Sequence, residues 1–291
     1  KKKLNKKINF ICIKIKIFSN LSRRLKFMIS IFYLIPQLIF KKKVLVVCFQ
    51  ANMYCVFVCK LFGAKIILRS NSSPSGWSKN TYKKLMYKLG FLLANGIIVN
   101  SQQFKNQLKS IFGIKATCIY NPLNYKEIIK LSKEKVNLNF FKRKSLNIIN
   151  VGRFEDQKDH LTLLKAINLL NNQISFKLLL IGNGSKERMI KNFIKSKKIV
   201  KDVKILNNVQ NPYPYIKKAD LLILSSIYEG LPNILLEAIS LNKFIISSNC
   251  PTGPLEILEN GKLGILFKVK NSKDLANKIL YYKKNLNKLK K

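Results

Sequence analysis

Carboxylates are scarce in this sequence. Among 291 residues, 13 are Asp or Glu and 55 are Lys or Arg, a formal charge of +42. No D-x-D pair occurs, so the chain offers no obvious carboxylate pair for Mg²⁺. Histidine is rarer still, with His160 alone. None of the six cysteines (Cys12, Cys48, Cys55, Cys59, Cys118, Cys250) forms a C-x-x-C pair. That argues against a zinc site, and the cysteines, most of them inside apolar runs, read as reduced core residues of a cytoplasmic protein. The chain also has no apolar run long enough to cross a bilayer. "FMISIFYLIPQLIF" (27–40) is fourteen residues long and contains Pro36. A buried helix is the expectation there, and a helix lying in a membrane interface the alternative. No small-residue cleavage site follows it, so it does not read as a signal peptide. No short-period repeat is visible.

What is present fits a folded protein. Hydrophobic residues make up 47% of the chain, too many for general disorder. The length supports one large or two ordinary domains. The lysines are spread along the whole sequence. A nucleic-acid binder would concentrate its charge in a patch with interleaved aromatics, and no such patch appears. Attraction to an anionic membrane surface is the reading between those two.

The dominant pattern is alternation. Short apolar runs, such as "VLVVCF" (44–49), "AKIILRS" (64–70), "LNIINVG" (146–152) and "DLLILSS" (220–226), are separated by helical stretches. Continuous apolar strands between helices predict a parallel sheet covered on both faces. A charged stretch of low apolar content, "NYKEIIKLSKEKVNLNFFKRKS" (124–145), reads as the junction between two such units. The predicted fold is therefore α/β, with two doubly wound Rossmann-like domains, 1–143 and 144–291, and ligands in the cleft beyond the strand ends.

The chemistry concentrates at two of those ends. In "SSIYEGLPNILLEA" (225–238), Gly230 allows a tight turn with no Cβ facing a ligand. Pro232 suits a first helical position, which leaves the amides of Asn233 and Ile234 free to meet a phosphate. Glu229 stands in the loop, and Glu237 on the helix one turn after Asn233. A carboxylate at that depth can bind a ribose diol, although an isolated E-x7-E would more simply solvate a helix face and offset its dipole. In "VGRFEDQKDH" (151–160), Gly152 and Arg153 end a strand and Lys158 precedes a helix. These two cations can converge on a diphosphate and stabilise it as a leaving group without metal. Alone, they would read as surface charge. Gly182 and Gly184 in "IGNGS" give only G-x-G, which reads as a tight turn.

"NVGRFEDQKDHLTLLKA", "LLIGNGSKERM" and "YIKKADLLILSSIYEGLPNILLEAISLNKFIISSNCPTGPLEILENGKLGILF" together resemble the donor-binding half of family 4 retaining glycosyltransferases, which have the two-Rossmann GT-B architecture. The match runs over roughly 146–270 in the right order. "TGPLEIL" (252–258) resembles bacterial members that build surface polysaccharides, lipopolysaccharide or lipid-linked oligosaccharides. The resemblance implies a retaining hexosyl or N-acetylhexosaminyl transfer from a nucleotide-diphosphate sugar, UDP favoured over GDP, to a glycan or lipid-linked acceptor. Arg153 and Lys158 then correspond to the diphosphate-binding pair, and Glu229 to the first motif glutamate, beside the donor sugar. Glu237 corresponds to the second, which holds the ribose. The turn of Gly230, Leu231, Pro232, Asn233 and Ile234 then lines sugar and phosphate, with Gly152 and Gly184 on the donor side. No cofactor or metal is implied, and no nucleic-acid partner. The expected location is the cytoplasmic face of the membrane, bound peripherally.

In the first half, "FQANMYCVFVCKLFGAKIILRSNSSP", "IIVNSQQFKNQL" and "IYNPLN" resemble the acceptor domain in outline. "RSNSS" occupies the place where many members carry a cleft His, making Arg69 and Asn71 acceptor-side candidates. His160 reads as a helix-start residue. The family's opening strand and Gly-rich loop are not recognisable in residues 1–20, and the usual terminal helices are absent from the end. The chain is therefore expected to be a piece of a family member. Two alternatives follow: a truncated, inactive nucleotide-binding relative, and a basic nucleic-acid-binding protein.

Overall fold

The structure, a computed structural model, describes residues 21–286 apart from 42, 50, 51, 72 and 74–80. Cys12, the opening segment 1–20 and much of the loop after Arg69 lie outside the described residues.

The first half alternates α1 (Arg23–Phe40), β1 (Leu45–Cys48), α2 (Asn52–Leu61), β2 (Lys65–Ser70), α3 (Thr81–Leu93), β3 (Gly96–Val99), α4 (Gln102–Phe112) and β4 (Thr117–Cys118). Among the described residues its four strands form a parallel sheet in the order β1-β2-β3-β4. After α5 (Tyr125–Leu131) comes the second half: β5 (Leu146–Val151), a 3-10 turn (Asp156–Lys158), α6 (His160–Leu170), β6 (Phe176–Ile181), α7 (Glu187–Ser196), β7 (Val203–Leu206), α8 (Tyr213–Lys218), β8 (Leu221–Leu224), α9 (Asn233–Ser240), β9 (Phe244–Ser248), α10 (Pro254–Ile257), β10 (Ile265–Phe267) and α11 (Ser272–Lys284). Its six strands are parallel in the order β10-β9-β8-β5-β6-β7.

The second sheet shows why its strands read as continuous apolar runs. On one face Ile148, Leu178, Leu180 and Ile223 pack against Leu163, Leu164 and Ile167 of α6. On the other, Ile149, Leu179, Leu222 and Leu224 pack against Ile216, Leu235 and Ala238. Both faces are covered, so alternation with polar residues would leave unpaired groups in the core. Helix starts are set locally. The Ser101 hydroxyl accepts the Phe104 N–H at α4, and Asp159 accepts the Thr162 N–H at α6. Gly113, at φ 69°, ends α4 in the left-handed conformation that glycine adopts without strain.

Two segments differ from the sequence expectation. The 124–145 junction is not a bare linker. Asn124 caps α5, α5 packs on α8 and α9, and Leu138 is buried in the second core. Of its apolar residues Ile128 and Leu138 are buried and Phe140 and Phe141 pack on the second core, while Tyr125 and Ile129 stay exposed. The 27–40 run is helical but not buried. In α1 Leu38 is covered, while Met28, Phe32, Ile39 and Phe40 stand exposed, because the helix packs chiefly against α2 alone. No helix among the described residues is long and apolar enough to cross a membrane.

Candidate active site

In the second sheet, β5 and β8 are adjacent, and the chain order runs outward from them in opposite directions. That is a topological switch point, where the loops at neighbouring strand ends splay apart and leave a crevice. The predicted donor-side residues stand in those two loops.

The Gly152 N–H donates to Ile181 O at 2.9 Å, and the chain then turns through Arg153 to Lys158. Lys158 Nζ donates to Glu229 Oε1 at 2.6 Å, and the Ser226 hydroxyl donates to the same oxygen at 2.6 Å. Glu229 is 7% exposed, so its charge is held by the lysine and the hydroxyl rather than by water. The two loops are further tied by Ser225 Oγ to Lys158 O at 2.8 Å and by Ile227 N to Gln157 O at 2.8 Å. Gln157 Nε2 donates to Tyr228 O at 2.9 Å, and Gln157 Oε1 accepts from Arg153 Nη2 at 3.2 Å. Arg153, Lys158 and Glu229 thus belong to one network. Gly152 and Arg153 also line a cavity of about 260 Å³ with Gly182, Asn183, Asn208 and Pro212.

The G-x-G of "IGNGS" does more than turn. A Cβ at Gly182 would overlap the Gly152 carbonyl, and one at Gly184 the Phe154 backbone. These glycines let the β6 loop lie directly on the β5 loop. His160 sits at the start of α6, as expected, edge-on to Phe154 and 2% exposed. Burial, helped by the Lys158 charge, lowers its pKa to about 4 and keeps it neutral.

The turn after Glu229 meets the first half. Ser73 N donates to Glu229 O at 2.9 Å, and Ser101 Oγ donates to Gly230 O at 3.0 Å. A Cβ at Gly230 would overlap the Asn71 carbonyl oxygen. Leu231 and Pro232 are buried, Ile234 partly so. Pro232 caps α9 from outside rather than occupying its first turn, and Asn233 is exposed at the helix start. Arg69 Nη2 donates to Asn121 Oδ1 at 2.9 Å, and Asn121 Nδ2 donates to Asn233 Oδ1 at 2.8 Å. Arg69 is therefore linked to the start of α9 through one asparagine, and Asn71 contributes its backbone.

Glu237 lies one turn further along α9, and none of the hydrogen bonds among the described residues involves its carboxylate. Burial raises its pKa, and its charge raises that of Tyr213 nearby, after that residue's own burial. No group of three His, Cys, Asp or Glu among the described residues is placed to hold a metal ion.

The family model described as "Glycosyl transferases group 1" matches residues 132–291, more than half of the chain. The chain belongs to that family. Among curated relatives of this group 1 glycosyltransferase, an uncharacterized glycosyltransferase of Methanocaldococcus jannaschii is 31% identical over 205 residues, covering 67% of this chain and 50% of that protein. The N-acetylgalactosamine-N,N'-diacetylbacillosaminyl-diphospho-undecaprenol 4-alpha-N-acetylgalactosaminyltransferase of Campylobacter jejuni is 25% identical over 232 residues, covering 76% of this chain and 62% of that one. The chain spans between half and about three-fifths of the length of such relatives. Solved structures share the GT-B fold. Sucrose-phosphate synthase from Thermosynechococcus elongatus aligns at TM-score 0.73 and 17% identity, covering 96% of this chain and 73% of its own. HepE of Anabaena in complex with UDP aligns at 0.68 and 18%, covering 84% and 70%.

Several site residues carried no signal in the sequence. Ser226 completes the Glu229 shell, and Gln157 joins the two loops. Asn100 is buried with its Oδ1 unpartnered, and its amide nitrogen lies close to Gly230. Glu256 of α10 accepts the Gln102 and Gln103 N–H groups at 3.1 and 3.0 Å and the Tyr120 hydroxyl at 2.6 Å. Polar residues paired across the two halves leave no periodic trace, so only coordinates reveal them.

Proposed function

We propose that this group 1 glycosyltransferase chain binds a nucleotide-diphosphate sugar, with UDP as the nucleotide, over the 144–291 unit and transfers its hexosyl or N-acetylhexosaminyl group to a glycan or lipid-linked acceptor held by the 1–143 unit. The observation that carries this reading is the Arg153–Gln157–Tyr228 and Lys158–Glu229–Ser226 network at the β5/β8 switch point. Lys158 is paired with Glu229, whereas Arg153 donates to the neutral Gln157 carboxamide, a bond that leaves its charge uncompensated. A diphosphate entering the crevice would meet Arg153 as a planar fork and Lys158 as a point charge. The first-turn amides of α9 at Asn233 and Ile234 add donors of the same sign.

Glu229, held from two sides, would accept donor-sugar hydroxyls, and Glu237, half-buried, the ribose diol. The acceptor oxygen attacks the anomeric carbon on the face that the diphosphate leaves. The carbon–phosphate oxygen bond breaks as the new glycosidic bond forms. The acceptor's proton passes to the departing phosphate oxygen, and the configuration is retained. Charge on the leaving group is balanced by the chain's own cations rather than by a metal. The relatives named for undecaprenol-linked acceptors support a lipid-linked acceptor, and the chain's charge of +42 would favour peripheral contact with an anionic membrane.

The test is calorimetric binding of UDP to the wild type, Arg153→Ala and Glu237→Ala. Each substitution is expected to weaken UDP by about tenfold or more, the loss of one charge-assisted contact. Unchanged affinity in both variants would end the assignment.

A further inference from the structure

A second cavity, of about 450 Å³, opens between the two halves. One wall is a stripe of α4 made of Gln103, Asn106, Gln107 and Ser110, spaced so that all four share one helix face. The other wall is the loop after β9, with Asn249, Cys250, Pro251 and Thr252. None of the lining residues is charged, although the chain carries 55 Lys and Arg. Lys105 and Lys109 of the same helix are exposed but do not line the cavity.

The wall is joined to the candidate active site. Glu229 N donates to Pro251 O at 2.7 Å, and Thr252 Oγ1 donates to Gly230 O at 2.9 Å. Two of the amides are also held in orientation. Gln103 Oε1 accepts the Gly253 N–H at 2.8 Å, and Gln107 Oε1 accepts the Ser73 hydroxyl at 2.7 Å.

The chemistry of the lining selects the occupant. Carboxamides and hydroxyls both donate and accept, which matches the paired donor and acceptor character of sugar hydroxyls. An anionic ligand would want a cation, and the cavity excludes the many that are available nearby. An apolar chain would leave the carboxamides and hydroxyls without partners, while the apolar surface of Cys250 and Pro251 suits the C–H face of a sugar ring. The volume falls in the range of small-ligand sites.

We propose that this cavity is a subsite for an uncharged sugar of the acceptor glycan, recognised by the amide face of α4 and Asn249. The proposal rests on the glycosyltransferase reading above and names the class of acceptor it takes.

Saturation-transfer NMR tests it on the full chain with methyl α-glucoside, methyl α-N-acetylgalactosaminide and the acidic methyl glucuronide, in the wild type and in Asn106→Ala/Asn249→Ala. Both substituted side chains are exposed, so the fold does not depend on them. UDP affinity is measured by calorimetry in the same two proteins. At least one neutral glycoside is expected to bind, and to be weakened about tenfold in the double variant, with UDP affinity within twofold. No neutral glycoside binding, equal binding of the glucuronide, or an unchanged double variant overturns the proposal. Failure of UDP to bind the wild type would instead strike the donor reading, so the two failures are separable.

Discussion

Glu256 offers the sharpest test of how the two halves are held together. Its carboxylate, on α10 of the second half, receives the first two N–H groups of α4 in the first half and the Tyr120 hydroxyl. A negative charge at a helix start is favourable, and hydrogen bonds to a charged acceptor are worth about 1.5–3 kcal/mol each when shielded. Two of these three are exposed to water, so a total near 2 kcal/mol is the reasonable figure for Glu256→Ala. That corresponds to about a thirtyfold shift between joined and separated halves. Amide hydrogen exchange at Gln102 and Gln103 should accelerate by a similar factor, and Glu256→Gln, which keeps one acceptor oxygen, should fall between. A double-mutant cycle with Tyr120→Phe isolates the phenol's share. The Tyr120 pKa is pushed up to about 12, first by its hydrogen bond to Glu256. Its folded value lies above its unfolded one of about 10, so this bond is intact below pH 10 and is lost as pH rises through 12. Unchanged exchange at Gln102 and Gln103 in Glu256→Ala, together with a coupling below about 0.3 kcal/mol, would refute the clamp.

Three other outcomes are expected. Glu237→Gln should raise the melting temperature by about 1–2 °C while weakening UDP, because burial raises this carboxyl's pKa and its ionised form costs stability at neutral pH. A lower melting temperature would contradict that sign. For His160, buried neutral with a pKa near 4, stability should fall as pH drops from about 6.5 to 4, by up to about 3 kcal/mol. His160→Phe should flatten that slope in urea titrations, and an equally steep profile would remove His160 as its cause. Gly230→Ala should destabilise by about 1–3 kcal/mol, since the added methyl meets the Asn71 carbonyl. A melting temperature unchanged within about 1 °C would show that no such close approach exists.

The second half was largely legible in the sequence. Strands covered on both faces are mostly apolar, and "LNIINV" and "LLIL" are buried along almost their whole length, with Asn147 and Asn150 as polar exceptions. Arg153, Lys158 and Glu229 were legible because they cluster at the ends of such strands, where a parallel sheet exposes its loops. Two things were not legible. The apolar content of α1 predicted burial, but burial depends on what packs against a helix, and hydropathy does not encode that. The contacts across the halves, Arg69–Asn121–Asn233 and Glu256 with the start of α4, join positions more than 50 to about 150 residues apart. Each partner alone looks like any exposed polar residue, and nothing in its own neighbourhood marks the pairing.

The absent side chain at position 230 has a consequence for recombining these proteins. The loop that bears Glu229 rests on the Asn71 backbone with room for a hydrogen and nothing larger. At this point the spacing of the two units is set by main chain against main chain. A chimera joining this first unit to a foreign second unit should seat properly only where the incoming loop is equally bare at that point. A bulkier residue there would act as a wedge, prising the units apart and separating the two walls of the cavity they share.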